Sequence, residues 1–101
     1  MQSKYSVFII DFLIMWYFYV CQSQKDLNWF YKGSTNNLDK RLAEHNNGET
    51  QSNKHYLPLK LVYYEAYLTE IAARKRESSV KKSGSVWKPL MDRIKDSLSE
   101  D

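Results

Sequence analysis

The run WYFYVCQSQKDLNWFYKGSTNNLDKRLAEHN, from Trp16 to Asn46, constrains the fold most, because two aromatic extended runs, a glycine and a helix follow one another directly. Trp16-Tyr17-Phe18-Tyr19-Val20 and Trp29-Phe30-Tyr31 have the β-branched and aromatic character of strands. The polar stretch from Gln22 to Asn28 between them predicts a hairpin. Side chains alternate along a strand, so Tyr17 and Tyr19 share one face, and Trp29 and Tyr31 share one face of the partner. Gly33 follows Tyr31 closely, as a turn with positive φ or a close backbone approach requires.

Ser34-Thr35-Asn36 supplies capping residues for a helix. With Asn36 at the N-cap, Asp39 falls in the first turn, where a carboxylate favours the positive helix end. Each helical residue advances by about 100°. Leu38, Arg41, Leu42 and His45 therefore form one stripe, while Asp39, Lys40, Ala43 and Asn47 point elsewhere. Leu38 and Leu42 must face the sheet, which carries Arg41 and His45 to the edge of the core. Small domains rarely leave such groups there unless they are paired or used. The plain alternative is an amphipathic helix with a snorkelling arginine and a satisfied histidine.

With 101 residues, 43% of them hydrophobic, the chain can close one modest core. Pro58 precedes a third strand from Leu59 to Ala66, and its Leu61-Val62-Tyr63-Tyr64 run suits a buried central position. Thr69 caps a helix reaching about Lys82, and Ser83-Gly84-Ser85 breaks it. A last helix, from about Val86 to Leu98, places Leu90, Met91 and Ile94 on one side. The predicted architecture is α/β: a small, three-stranded, mainly antiparallel sheet flanked by helices. Glu77 lies one turn from Ala73 and close to Val80. A lone glutamate in a basic helix is usually an i,i+4 partner, here of Lys81.

The formal charge is +3 and the pI about 8.9, and the distribution matters more than the mean. Arg74, Lys75, Arg76, Lys81, Lys82 and Lys88 gather in the second half, and Ser97 to Asp101 forms an acidic tip. Such a basic stripe is either a solvated helix face or a phosphate contact. Cys21 is the only cysteine, which excludes a disulfide framework and favours a reducing, cytoplasmic setting. Val7 to Cys21 is largely apolar and preceded by Lys4, like a signal peptide. It is interrupted by Asp11, falls short of the roughly 20 residues of a membrane helix and lacks a small-residue cleavage site. Residues 1–14 are expected to be an N-terminal extension, or Met15 to be the true start, with one domain over 15–101.

Tyr17-Phe18-Tyr19, then Tyr31-Lys32-Gly33, then Arg41 and His45 on the following helix, resemble the GIY-YIG nuclease superfamily. The likeness is to its small stand-alone bacterial members, similar to the N-terminal domain of the UvrC-type excinuclease. Ala73, Glu77, Val80 and Lys81 match the glutamate-bearing helix of that family, so the resemblance runs from about Met15 to the last helix. Tyr17 stands where the first triplet has glycine, and Lys32 is the middle residue of the second. No residue here matches the late asparagine of some members.

The resemblance implies a metal-dependent endonuclease that hydrolyses DNA phosphodiesters, selected by DNA structure and working in repair or recombination. It implies Tyr19, Tyr31, Arg41, His45 and Glu77 as catalytic residues, with Glu77 holding Mg²⁺ or Mn²⁺. Lys32, Lys54, His55 and Lys81 are candidate DNA contacts. With no reading element for base edges in sight, a partner protein or the shape of the DNA would select the substrate. A second function is a catalytically weak or inactive DNA-binding module of the same fold. A third is a membrane-associated protein using Val7 to Cys21, which Asp11 disfavours.

Overall fold

The aromatic runs form the predicted hairpin. The computed structural model describes residues 15–50 and 54–98. Strand β1 (Trp16–Ser23) leads to β2 (Phe30–Thr35), helix α1 (Leu38–Asn46) and a 3₁₀ turn (Lys54–Tyr56). Then come β3 (Leu59–Tyr67), α2 (Glu70–Lys82) and α3 (Gly84–Leu98). The sheet is antiparallel throughout, in the order β2-β1-β3.

That order corrects the central position expected for the third strand. β1 is central because it pairs with β2 along one edge and β3 along the other, and both of its faces are covered. Phe18 and Val20 pack with Val80 of α2 and with Leu90, Met91 and Ile94 of α3. Tyr19 and Cys21 point the other way and pack with Leu38 and Leu42 of α1, Trp29 and Tyr31. Removing each such aliphatic or aromatic side chain from water contributes about 1.5–3 kcal/mol. β3 is an edge strand, half-covered along most of its length, with Tyr64 54% exposed. Its apolar run therefore reflects one packed face and one partly open face, not burial on both sides.

The helices follow their patterns with shifted ends. The N-cap of α1 is Asn37, not Asn36: the Asn37 side chain accepts from the Lys40 amide. Thr35 explains the shift, since its hydroxyl accepts from the Asn37 amide and delays the helix by one residue. Asp39 still lies in the first turn. Thr69 caps α2 as expected, its side chain accepting from the Ala72 amide. The break before α3 shrinks to Ser83, because its carbonyl already accepts from the amides of Val86 and Trp87. Gly33 sits within β2 without positive φ, so of the two reasons for glycine only close approach applies. The proposed extension, residues 1–14, lies outside the described residues, as does the end of the acidic tip. Among the described residues no helix is long and apolar enough to cross a membrane.

Candidate active site

The last turn of α1 delivers His45 into the core, where it is fully buried. Its Nε2 lies 2.9 Å from the Tyr19 hydroxyl, and its Nδ1 lies 2.9 Å from the Thr50 hydroxyl. The Tyr31 ring meets the imidazole edge-on at 4.7 Å. Burial, reinforced by the charge of Arg41, pushes the His45 pKa below the usual value. A neutral imidazole then donates from one nitrogen and accepts at the other, which suits a ring held between two hydroxyls.

Burial likewise pushes the Tyr19 phenol above its ordinary range, and the neighbouring guanidinium of Arg41 only partly opposes this. Tyr19 is therefore a protonated, positioned phenol. The phenol beside Arg41 raises the guanidinium pKa further, against the opposing effect of burial. Arg41 Nη1 donates to Glu44 at 3.2 Å, while its Nε is buried without a hydrogen-bond partner. An unmet buried donor costs about 1–3 kcal/mol and calls for an explanation. The approach that requires glycine is here as well: a Cβ on Gly33 would sit 2.6 Å from the Tyr19 hydroxyl oxygen.

Glu77 arrives from the other side of the sheet. Gly33 is the register partner of Tyr19, and Ser34 that of Phe18, so Ser34 faces the layer made by α2 and α3. There the Ser34 hydroxyl donates to Glu77 Oε1, and Lys81 Nζ donates to Oε2 at 2.6 Å. Four of the five residues expected at the site thus converge on the α1 face. The fifth approaches around edge strand β2, through the residue next to Gly33. The ion pair with Lys81 is the plain i,i+4 partnership that the helix pattern allows.

A groove of ≈ 270 Å³ opens where the two faces meet. Arg41 lines it from the phenol side and Ser34 from the Glu77 side, joined by Asn37, Lys40, Arg74 and Trp16. Arg74 lies over the Trp16 ring and pairs with Glu70 at 2.6 Å. Sequence marks Ser34 as a capping residue, Arg74 as part of the basic stripe that can contact phosphate, and neither Lys40 nor Trp16 as a site residue. A hydroxyl at Ser34, on the strand face that carries Phe30 and Lys32, was the available signal. Lys32 and Lys81 lie near this edge, with Lys32 Nζ 3.9 Å from the Trp87 ring centre. Burial first, and then the charge of Lys81, lowers the Lys32 pKa. Lys54 and His55 are exposed in the 3₁₀ turn, which joins the far end of β1 through the Ser23–Tyr56 hydrogen bond, away from the groove. Cys21 is buried and its thiol is pushed up to about 12, so it stays protonated and inert. Among the described residues no three His, Cys, Asp or Glu side chains gather as a metal cluster.

A family model described as the GIY-YIG catalytic domain matches residues 15–88. A UPF0213 protein of Clostridium perfringens (strain 13 / Type A) is 43% identical over 53 residues, covering 52% of this chain and 57% of that protein. A UPF0213 protein of Streptococcus pyogenes serotype M5 (strain Manfredo) is also 43% identical over 53 residues, covering 52% of this chain and 58% of that protein. The chain therefore spans little more than half the length of the curated relatives it matches. The solution NMR structure of a UPF0213 protein from Bacillus halodurans aligns over 80% of this chain and 85% of that one. Its TM-score is 0.48 and its identity 23%.

Proposed function

The chain belongs to the GIY-YIG catalytic-domain family, and from that premise we propose that its groove grips the phosphodiester backbone of DNA, with hydrolysis weak or absent until Glu77 is released. The carrying observation is the groove itself. Three cationic side chains, Lys40, Arg41 and Arg74, share it with the Asn37 amide and the Ser34 hydroxyl. Arg41 keeps a buried Nε without a protein partner. Planar guanidinium donors match phosphate oxygens, and lysines add charge without base readout. Glu77, by contrast, has both oxygens engaged, which supports gripping ahead of cutting.

A second reading, a metal-dependent endonuclease, is favoured by the buried cluster of Tyr19, Tyr31, Arg41 and His45. Mg²⁺ suits the donor set loosely. It keeps most of its waters and takes one or two carboxylates with substrate phosphate, and Glu77 would be that carboxylate once Lys81 yields. The ion would draw charge from the phosphate and the leaving 3′ oxygen. Arg41 would meet the non-bridging oxygens as charge builds on them. Tyr19, kept protonated by burial, would orient His45, and Tyr31, once it has lost its own proton to solvent beside Arg41 and the cation, would take one from the attacking water. On this reading the protein acts on branched or nicked DNA in cytoplasmic repair or recombination, with a partner protein aiding selection.

The test pairs binding with cleavage on nicked, flapped and four-way DNA, with and without Mg²⁺ or Mn²⁺. Gripping predicts complexes that already form without Mg²⁺ and yield little product, weakened by Arg41→Gln. Rapid metal-dependent cleavage that disappears in Glu77→Ala would establish the second reading. Failure to bind any of these DNAs would overturn both.

A further inference from the structure

The two oxygens of Glu77 are held by donors of different kinds. Ser34 reaches Oε1 from the sheet, across elements, and belongs to the groove wall. Lys81 reaches Oε2 from the next turn of the same helix and stands on the solvent side: its side chain is 46% exposed, against 21% for Glu77. The serine contact is tied to the fold, whereas the lysine contact can be exchanged. Close by, Lys32 is held over Trp87 and its charged form is already disfavoured by burial and by Lys81.

We propose that Lys81 is a resident stand-in for a divalent cation at Glu77. With a divalent cation at Glu77, Lys81 would give up Oε2 and its freed ammonium would meet a DNA phosphate beside it. This deepens the proposed function and rests on the reading of Glu77 as the cation-binding carboxylate. The exchange is inexpensive because half-exposed ion pairs of this kind are weak. It also gives Lys81 opposite effects on the two ligands, since it competes with the metal and helps the DNA. An ordinary surface ion pair would have no such effect on DNA binding that depends on metal.

The experiment measures Mn²⁺ binding to the DNA-free protein by electron paramagnetic resonance, for wild type, Lys81→Met, Lys81→Arg and Glu77→Gln. Removing the competitor should tighten Mn²⁺ binding roughly two- to fivefold in Lys81→Met, the range set by an exposed pair. Lys81→Arg should remain near wild type. In a second measurement, Ca²⁺ should strengthen the wild-type protein's grip on nicked DNA more than that of Lys81→Met. Mn²⁺ binding lost in Glu77→Gln but unchanged or weaker in Lys81→Met would overturn the stand-in role alone. Mn²⁺ binding indifferent to Glu77→Gln would instead overturn the reading of Glu77 beneath it. Circular dichroism checks each variant's fold, and the exposed Lys81 site gives no reason for unfolding.

Discussion

At the residue scale, two positions bear most of the site's geometry. Gly33 has no room for a methyl group, because the phenol it would meet is buried and tied to His45. Gly33→Ala should therefore cost about 1–3 kcal/mol by overpacking. Gly84, with nothing near its missing Cβ, is the control, and Gly84→Ala should be neutral or mildly stabilising at a helix start. Denaturant midpoints of the two variants decide this, and equal midpoints would remove the argument for close approach. His45 makes a pH prediction. Its folded pKa lies below the usual value, so on acidification the unfolded chain takes up the proton first. The neutral-imidazole contribution is complete above about pH 7 and is lost as pH falls through about 6.5 toward the folded value. Wild type should lose more stability between neutral and mildly acidic pH than His45→Gln does. Parallel losses in both proteins would contradict it.

At the element scale, helix α2 is tied to the sheet by a polar anchor that no single segment reveals. The Glu65 carboxylate of β3 accepts from the Tyr63 and Tyr67 hydroxyls at 2.6 Å each. It also accepts from Arg76 Nε and Nη2 at 2.9 and 3.0 Å. Burial pushes this carboxyl up, but its hydrogen bonds outweigh that and hold it below the usual range. Arg76 is the chain neighbour of Glu77, so the same anchor fixes the rotation that brings Glu77 to Ser34. Arg76→Met should cost about 1.5–3 kcal/mol, the range for hydrogen bonds to charged groups. The double variant Glu65→Gln/Arg76→Met should cost less than the sum of its parts. Strict additivity in urea unfolding would show that the anchor does not act as a unit. Sequence reading found both of these elements and the cap at Thr69. It missed the anchor because Glu65 and Arg76 are 11 positions apart, on different elements, and share no periodicity.

At the scale of the whole molecule, charge on one edge carries the functional reading. Arg74 lines the groove and is largely exposed, and its pair with Glu70 contributes little stability. Arg74→Gln should leave the unfolding midpoint in place and reduce the slope of log K against log salt for DNA by about one. An unchanged slope would place the backbone elsewhere. The hairpin, three helices, the stripe of Leu38, Arg41, Leu42 and His45, and the residues that mark the family are legible along the chain. These are consequences of local alternation, helical period and capping chemistry, which neighbours in the chain suffice to set. Contacts between distant segments settle which strand is central, which side of the sheet Glu77 comes from, and that Ser34 reaches it from the strand. They also decide that Arg41 and Arg74 share one groove. Those outcomes depend on register and edge position, and pairing between distant segments sets both.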